Sequence, residues 1–373
     1  MEVLIAGDFC PNGRVKRLLD ENHFEEVLGE VKGIVSDVDY SIINFECPVV
    51  EGYENPILKW GPNLCCSAKG IESLKWAGID CVTLANNHLK DYGEEGVRNT
   101  LNACKKYDLD VVGAGVNLYE ASKTLYKVIN GKTIGIINCC EHEFSIASSN
   151  SGGSNPLNPI QQYYAIKDAR KKADYVLVII HGGHEHFQLP SPRMKETYRF
   201  FIDAGADAVV NHHQHCFSGY EIYNGRFIFY GLGNFCFDGN RSNNEMWNEG
   251  YMVKLDLDNT VLFEIIPYVQ CKDEPKVRLV NLSAYNKSID NLNNIIMDPN
   301  RLNREINHYY QLCSENYSNI IEPCNNKYYL ALKRRGLLPS FISNKRKIQA
   351  ANFVCCEAHR EKLIYYLTKC NKI

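Results

Sequence analysis

Short runs of apolar and β-branched residues recur through the first two thirds of the chain. They are VLIAG (3–7), YSIINF (40–45), DCVTLA (80–85), DVVGAG (110–115), TIGIIN (133–138), YVLVII (175–180), DAVVN (207–211) and RFIFYGLGNF (226–235). Each has the length and composition of a buried strand. Between them, AKGIESLKWAG (68–78), EEGVRNTLNACKKY (94–107), PIQQYYAIKDARKKA (159–173) and SPRMKETYRFFIDAGA (191–206) carry apolar residues at helical spacing. Strands alternating with helices predict an α/β domain with a largely parallel sheet. Pro192 and Gly205 mark the start and stop of one helix, and Gly78 the stop of another. The run SSNSGGSNPLNP (148–159) reads as a turn-rich, flexible rim.

A further strand-like stretch, GYMVKLDLDNTVLFEIIPYVQ (250–270), precedes a change of character. Beyond about residue 285 the chain is rich in Asn and Tyr and patterned as helix, as in NREINHYYQLCSENY (303–317) and AANFVCCEAHREKLIYYL (350–367). The expected division is an α/β domain over 1–284 and a helical extension over 285–373. The helices of that extension are candidates for joining copies of the chain into an oligomer.

Composition narrows the class without changing this picture. Hydrophobic residues make up 45% of the 373 positions and charged residues 23%, enough apolar material for one large core or two modest ones. Lys plus Arg number 41 against 44 Asp plus Glu, and neither sign collects into a block, which argues against a nucleic-acid or membrane-surface partner. The start, MEVLIAGDFCPNG, runs directly into a strand and lacks the pattern of a secretory signal. No apolar run reaches the roughly 18 residues that a membrane helix needs. The 16 cysteines include three adjacent pairs and no C-x-x-C, so they read as reduced, buried thiols of a reducing, cytoplasmic compartment.

Chemistry enters where the strands end. VLIAGD closes on Asp8, SIINFE on Glu46, CVTLANNH on Asn86, Asn87 and His88, VLVIIHGGHEH on His181, and AVVNHHQH on His212, His213 and His215. One polar residue at a strand end is ordinarily a cap, but five strands ending this way point to one cleft at the carboxyl edge of the sheet. Carboxylate, amide and imidazole together suit one or two divalent ions of the Mn, Fe or Zn kind. His213 and His215, two apart, fall on one side of an extended segment, with His212 turned away. Gly182 and Gly183 allow the backbone close to a metal or an anion, a use that packing alone does not supply. A buried carboxylate at Glu46 calls for a cation. His88 is placed to protonate a leaving oxygen. His184 and His186 read equally well as members of a solvent-exposed loop or as groups that touch substrate.

The segments AGDFCPNGR, NFECPV, LANNHLKDYGEEGVRNTL, VVGAGVNLYEA, VIIHGGHEHFQLPSP, FIDAGADAVVNHHQH and IFYGLGNFCFD, spanning about 1–240, resemble the CapA family of poly-gamma-glutamate capsule synthesis. That family looks like a branch of the calcineurin-like metallophosphatases. The resemblance implies an α/β/β/α sandwich with a helical carboxyl-terminal appendage. It also implies Asp8 on a first metal, Glu46 as the bridging carboxylate, Asn87, His181 and His213 toward a second metal, and His215 returning to the first. His88 then matches the leaving-group acid and Glu185 a Glu of the CapA pattern itself, and both are expected as catalytic residues. Asn44 and Asn234 join His184 and His186 as expected substrate contacts.

Two departures stand out. The metallophosphatase opening Asp-x-His is here Asp8-Phe9-Cys10, and His-Trp-Gly-x-Glu-Tyr is here His181-Gly182-Gly183-His184-Glu185-His186. His184 and His186 are the candidates for the missing imidazole. The resemblance implies a metal-dependent hydrolase of phosphoesters, or of amides, acting on an anionic small molecule or polymer. The alternative is a non-enzymatic factor that binds an anionic capsule polymer, and a third reading makes the chain an intracellular sensor or scaffold.

Overall fold

The computed structural model of the chain describes residues 1–52, 55–59, 61–239, 245–258, 262–321 and 326–339, with isolated positions beyond. Two sheets carry the architecture. The first contains β1 (Glu2–Cys10), β2 (Tyr40–Phe45), β3 (Cys81–Thr83), β4 (Asp110–Val112), β14 (Glu249–Asp256), β15 (Leu262–Gln270) and β16 (Val277–Leu279), in the order β16-β15-β14-β1-β2-β3-β4. A further strand, β13 (Asn234–Phe237), runs parallel to the end of β1. The second contains β6 (Leu125–Ile129), β7 (Lys132–Cys140), β9 (Tyr175–His181), β10 (Ala208–His212), β11 (Tyr220–Tyr223) and β12 (Arg226–Phe229), in the order β11-β12-β10-β9-β7-β6. A small pair joins β5 (Ala114–Gly115) to β8 (Gly153–Ser154).

The single, largely parallel sheet expected from the alternation is therefore two mixed sheets. The central strands β1 to β4 and β7, β9, β10 and β12 are parallel, and antiparallel strands extend the edges. Helix α2 (Phe24–Ser36) packs beside β16, and α4 (Gly93–Lys106) beside β4. Helices α1 (Gly13–Asp20) and α3 (Lys69–Ala77) share the core of that outer layer. On the other side, α6 (Pro159–Arg170) lies against β7 and β9, and α7 (Pro192–Ala204) against β10. Short helices α5 (Leu118–Ala121) and α8 (Glu245–Asn248) complete the connections. Phe263 of β15 meets Phe227 and Phe229 of β12, ring centroids 4.7 and 5.2 Å apart, so the inner faces touch. The layers run α/β/β/α, as the resemblance implied.

Local rules account for the helix ends. Ser191 Oγ accepts from the Met194 N–H at 3.2 Å and caps α7, whose chain leaves through Gly205. Gly78 takes φ +93° after α3, a left-handed stop that glycine adopts at least cost. Two helices that the pattern of runs left unassigned, α1 and α2, also form. In α2 the buried residues are Phe24, Val27, Leu28, Val31 and Val35, a stripe at helical spacing worth about 1.5–3 kcal/mol per large side chain.

The chain divides into two compact units, Met1–Asn303 and Arg304–Ile373. Helix α9 (Asn286–Met297), past the compositional change near 285, lies in the first and packs on β11. The second unit holds most of α10 (Pro299–Ile321) and α11 (Lys327–Arg334). The helix expected over 350–367 lies outside the described residues. Eleven described cysteines are free, and all but Cys65 are buried. Among the described residues no helix is long and apolar enough to cross a membrane.

Candidate metal centre

The carboxyl ends of the two sheets arrive at one place. In the first sheet Asp8 stands beside Asn44, and Asn44 beside Thr83; in the second His181 stands beside both Cys140 and His212. Asp8 is delivered by an irregularity in β1. A Cβ on Gly7 would sit 2.1 Å from the Gly233 oxygen, so only glycine lets β1 approach that turn, where the Asp8 N–H donates to Gly233 O at 3.1 Å. Glu46 follows β2 directly, its N–H donating to Phe9 O at 2.9 Å. Asn86 holds the turn after β3: its Oδ1 accepts from the His88 and Leu89 N–H groups at 3.0 and 2.9 Å, which aims Asn87 and His88 at the cleft.

Two groups of potential ligand atoms result, each with its atoms within 4.8 Å of one another: Asp8, Glu46 and His215, and Glu46, His181 and His213. All five residues are buried, and Glu46 belongs to both groups. His181 Nε2 lies 3.0 Å from His213 Nδ1, 3.0 Å from Asn87 Oδ1 and 3.5 Å from Glu46 Oε1. His215 reaches Glu46 Oε1 with Nε2 at 3.7 Å and Asp8 Oδ2 with Nδ1 at 3.7 Å.

The electrostatics of these groups follow from burial. Burial, and then the charge of Asp8, push the Glu46 carboxyl well above its ordinary range. Burial acts on Asp8 in the same direction, but His212, His215 and Asn44 together outweigh it and hold that carboxyl below its usual value. Burial, followed by the neighbouring imidazoles, drives His181 well below the histidine range, and burial lowers His215 to about 4 against the opposing charges of Asp8 and Glu185. Neutral imidazoles around a carboxylate are the protonation states that bind a cation.

Whether these residues suit a metal is tested by Glu46. It is fully buried, yet neither of its carboxylate oxygens has a hydrogen-bond partner. An uncompensated buried carboxylate costs several kcal/mol, roughly, and such groups are found paired or on metals. Mixed oxygen and imidazole donors suit a transition divalent ion, so the donor set fits.

The model of the family described as bacterial capsule synthesis protein PGA_cap matches residues 2–239. The chain belongs to this bacterial capsule synthesis family. It is 32% identical over 286 residues to the capsule biosynthesis protein CapA of Bacillus anthracis, covering 74% of this chain and 69% of that relative. It is 35% identical over 237 residues to the PGA biosynthesis protein CapA of Bacillus subtilis (strain 168), and there it spans 62% of the relative's length and 62% of its own. Among solved structures, a 5'-nucleotidase precursor from Thermus thermophilus aligns over 76% of this chain and 55% of its own at 12% identity and TM-score 0.44. At that score the likeness says nothing about chemistry.

Within this family member the remaining candidate residues fall into three places. His88 is buried beside the cleft, its Nδ1 2.7 Å from Asp91 Oδ2 and 3.1 Å from Lys59 Nζ. Lys59 and Asp91 form an ion pair shielded from solvent, so Lys59 is tied to this histidine. Asn44 and Asn234, expected as substrate contacts, lie beneath the cluster. Asn44 donates to Asp8 Oδ1 at 2.7 Å and accepts from Thr83 Oγ1 at 3.2 Å, while Asn234 faces His215. Glu185, His184 and His186 stand at the rim. Glu185 is 48% exposed, and the His186 ring centroid is 6.0 Å from that of His215. Neither His184 nor His186 joins a ligand group among the described residues.

Three expectations need correction. His212 does not turn away: its Nδ1 lies 3.2 Å from Asp8 Oδ1, so it is the imidazole that stands against Asp8. The alternation rule fails there because β10 ends at His212 and the chain turns, with φ +90° at His213 and +55° at His215. Gly182 and Gly183 have local reasons of their own, since a Cβ on Gly182 would meet the Glu141 side chain at 2.6 Å and Gly183 takes φ +103°, which L side chains rarely adopt. The 148–159 run is a rim only at its start: residues 148–150 are exposed, but Gly152 to Leu157 are buried, and Ser154 Oγ donates to Asn86 O at 2.9 Å, bracing the turn that carries Asn87.

Sequence reasoning missed Asp91 and Lys59. The signal for Asp91 was its position three residues after His88, a spacing at which one turn brings side chains together. Lys59 carried none.

Proposed function

We propose that this chain is a metal-dependent hydrolase acting on a phosphoester of an anionic substrate in capsule polymer synthesis. The observation that carries the reading is Glu46, buried between two sets of ligand atoms with both oxygens unpaired. In this reading Asp8, Glu46 and His215 hold one divalent ion of the Mn, Fe or Zn class, and Glu46, Asn87, His181 and His213 hold a second. Bound divalent ions supply Lewis acidity, which stabilises charge on a phosphoryl oxygen.

The chain's own residues do the rest. Asp91 and Lys59 occupy the Nδ1 side of His88 and fix its ring, leaving Nε2 as the nitrogen that gives a proton to the departing oxygen. The sheets exclude water from the ligand side of the cleft, which strengthens every interaction there. Glu185, His184 and His186 at the rim are the side chains from the HGGHEH run that an entering substrate meets.

The test is elemental analysis of the purified chain together with hydrolysis of p-nitrophenyl phosphate and bis-p-nitrophenyl phosphate with added Mn2+. Bound metal and cleavage that fails in Asp8→Ala and His213→Ala support the proposal. A chain that holds no metal and cleaves neither ester overturns it. Metal retention with polymer binding that survives His88→Ala, and no cleavage, favours the polymer-binding alternative.

A further inference from the structure

The geometry points to Asn234 as a positioning residue that locks the tautomer of His215, so that Nε2 presents its lone pair to the ligand group containing Glu46. The inference rests on the metal reading above for its purpose, and on hydrogen-bond geometry for its content. Asn234 is fully buried at the start of β13. Its Nδ2 faces two carbonyl oxygens, those of His215 at 3.3 Å and Trp247 at 3.2 Å. Carbonyls only accept, so the nitrogen of the amide must be the atom turned toward them. The Oδ1 is thereby fixed toward His215 Nδ1, 2.9 Å away.

An amide oxygen also only accepts, and the partner ring nitrogen must therefore carry the proton. A neutral imidazole has one N–H, so Nδ1–H leaves Nε2 bare. Nε2 is the atom 3.7 Å from Glu46 Oε1. Metal-bound imidazoles generally have their other N–H held by an acceptor, and the acceptor sets which nitrogen binds. The amide is held in turn by the backbone of His215 itself and of Trp247, whose ring centroid is 5.0 Å from that of His215. The ring cannot flip without breaking this set.

The first measurement is the 15N chemical shift of the His215 ring in the metal-free wild-type chain, which separates the two neutral tautomers. The expected result is Nδ1–H. The Nε2–H tautomer overturns the inference and leaves the metal reading standing, whereas a chain in the Nδ1–H form that never binds Mn2+ sinks the metal reading and leaves the lock. The second measurement is Mn2+ affinity of Asn234→Ala, expected to fall about 10–100-fold, with the His215 ring shifting to a mixture of tautomers. An unchanged tautomer in that variant overturns the inference. Should the variant not fold, the wild-type spectrum alone decides.

Discussion

The two sheets contribute different chemistry to the cleft. The first supplies oxygen and amide groups, Asp8, Asn44, Glu46 and Asn87, from β1, β2 and the turn after β3. The second supplies imidazoles, His181 from β9 and His212, His213 and His215 from the end of β10 and the loop beyond it. Neither half makes a ligand set alone: each group of three draws on both sheets, and Glu46 is the residue they share. The lesson is that the cleft is a property of the packing between sheets, with the acidic half raising the cost of assembly and the imidazole half closing around it.

Lesions in the two halves should therefore behave differently, and the largest effect belongs to Glu46. Replacing it by Ala is expected to remove Mn2+ from both groups and abolish hydrolysis; retention of one full equivalent by elemental analysis would show that the groups do not share it. Near neutral pH the metal-free Glu46→Gln protein should in contrast melt higher than wild type, because burial holds the Glu46 carboxyl above its ordinary range and folding must then protonate it or bury its charge.

Next in size are the imidazole lesions. His213→Ala and His215→Ala each touch one group, so each should lose about one ion while the other titrates normally by calorimetry. If either variant loses both ions, the division into two groups is wrong. His88→Ala should leave metal content intact and lower kcat by about 10²–10⁴-fold, the range typical of a lost proton donor. Equal loss of metal in that variant would move His88 from proton transfer to ligation.

The smallest effect is structural and confined to the oxygen-rich side. Lys59→Met leaves Asp91 as a buried charge without its cation, which should cost about 3–5 kcal/mol of stability, read as a lower midpoint in urea. A midpoint within error of wild type would show that water reaches Asp91.

Much of this site was legible in the chain, because strand length, burial and the polar residue that ends a strand are all local. Asp8, Glu46, Asn87, His181, His213 and His215 could be picked out for that reason. Helix α2 was equally legible: Phe24, Val27, Leu28, Val31 and Val35 repeat at helical spacing, but no strand-like run drew attention to it. His212 was not legible. Its side depends on where β10 stops, and left-handed backbone at His213 and His215 cancels the alternation from which a side could be read. The glycines after His181 were misread because Glu141, the neighbour of Gly182, comes from a distant part of the chain and the φ of +103° at Gly183 is set by the turn.

The sequence by itself determined the α/β class, the helix stops and the six side chains of ligand type, since each follows from a pattern within one element. Only the tertiary structure decided that two sheets rather than one carry them, that Glu46 stands between two groups, and that Asn44 and Asn234 lie under them. The physical reason is range. Periodicity and capping act over a few residues, while the partner of a buried carboxylate or ring nitrogen is set by strands that meet only when the two sheets pack.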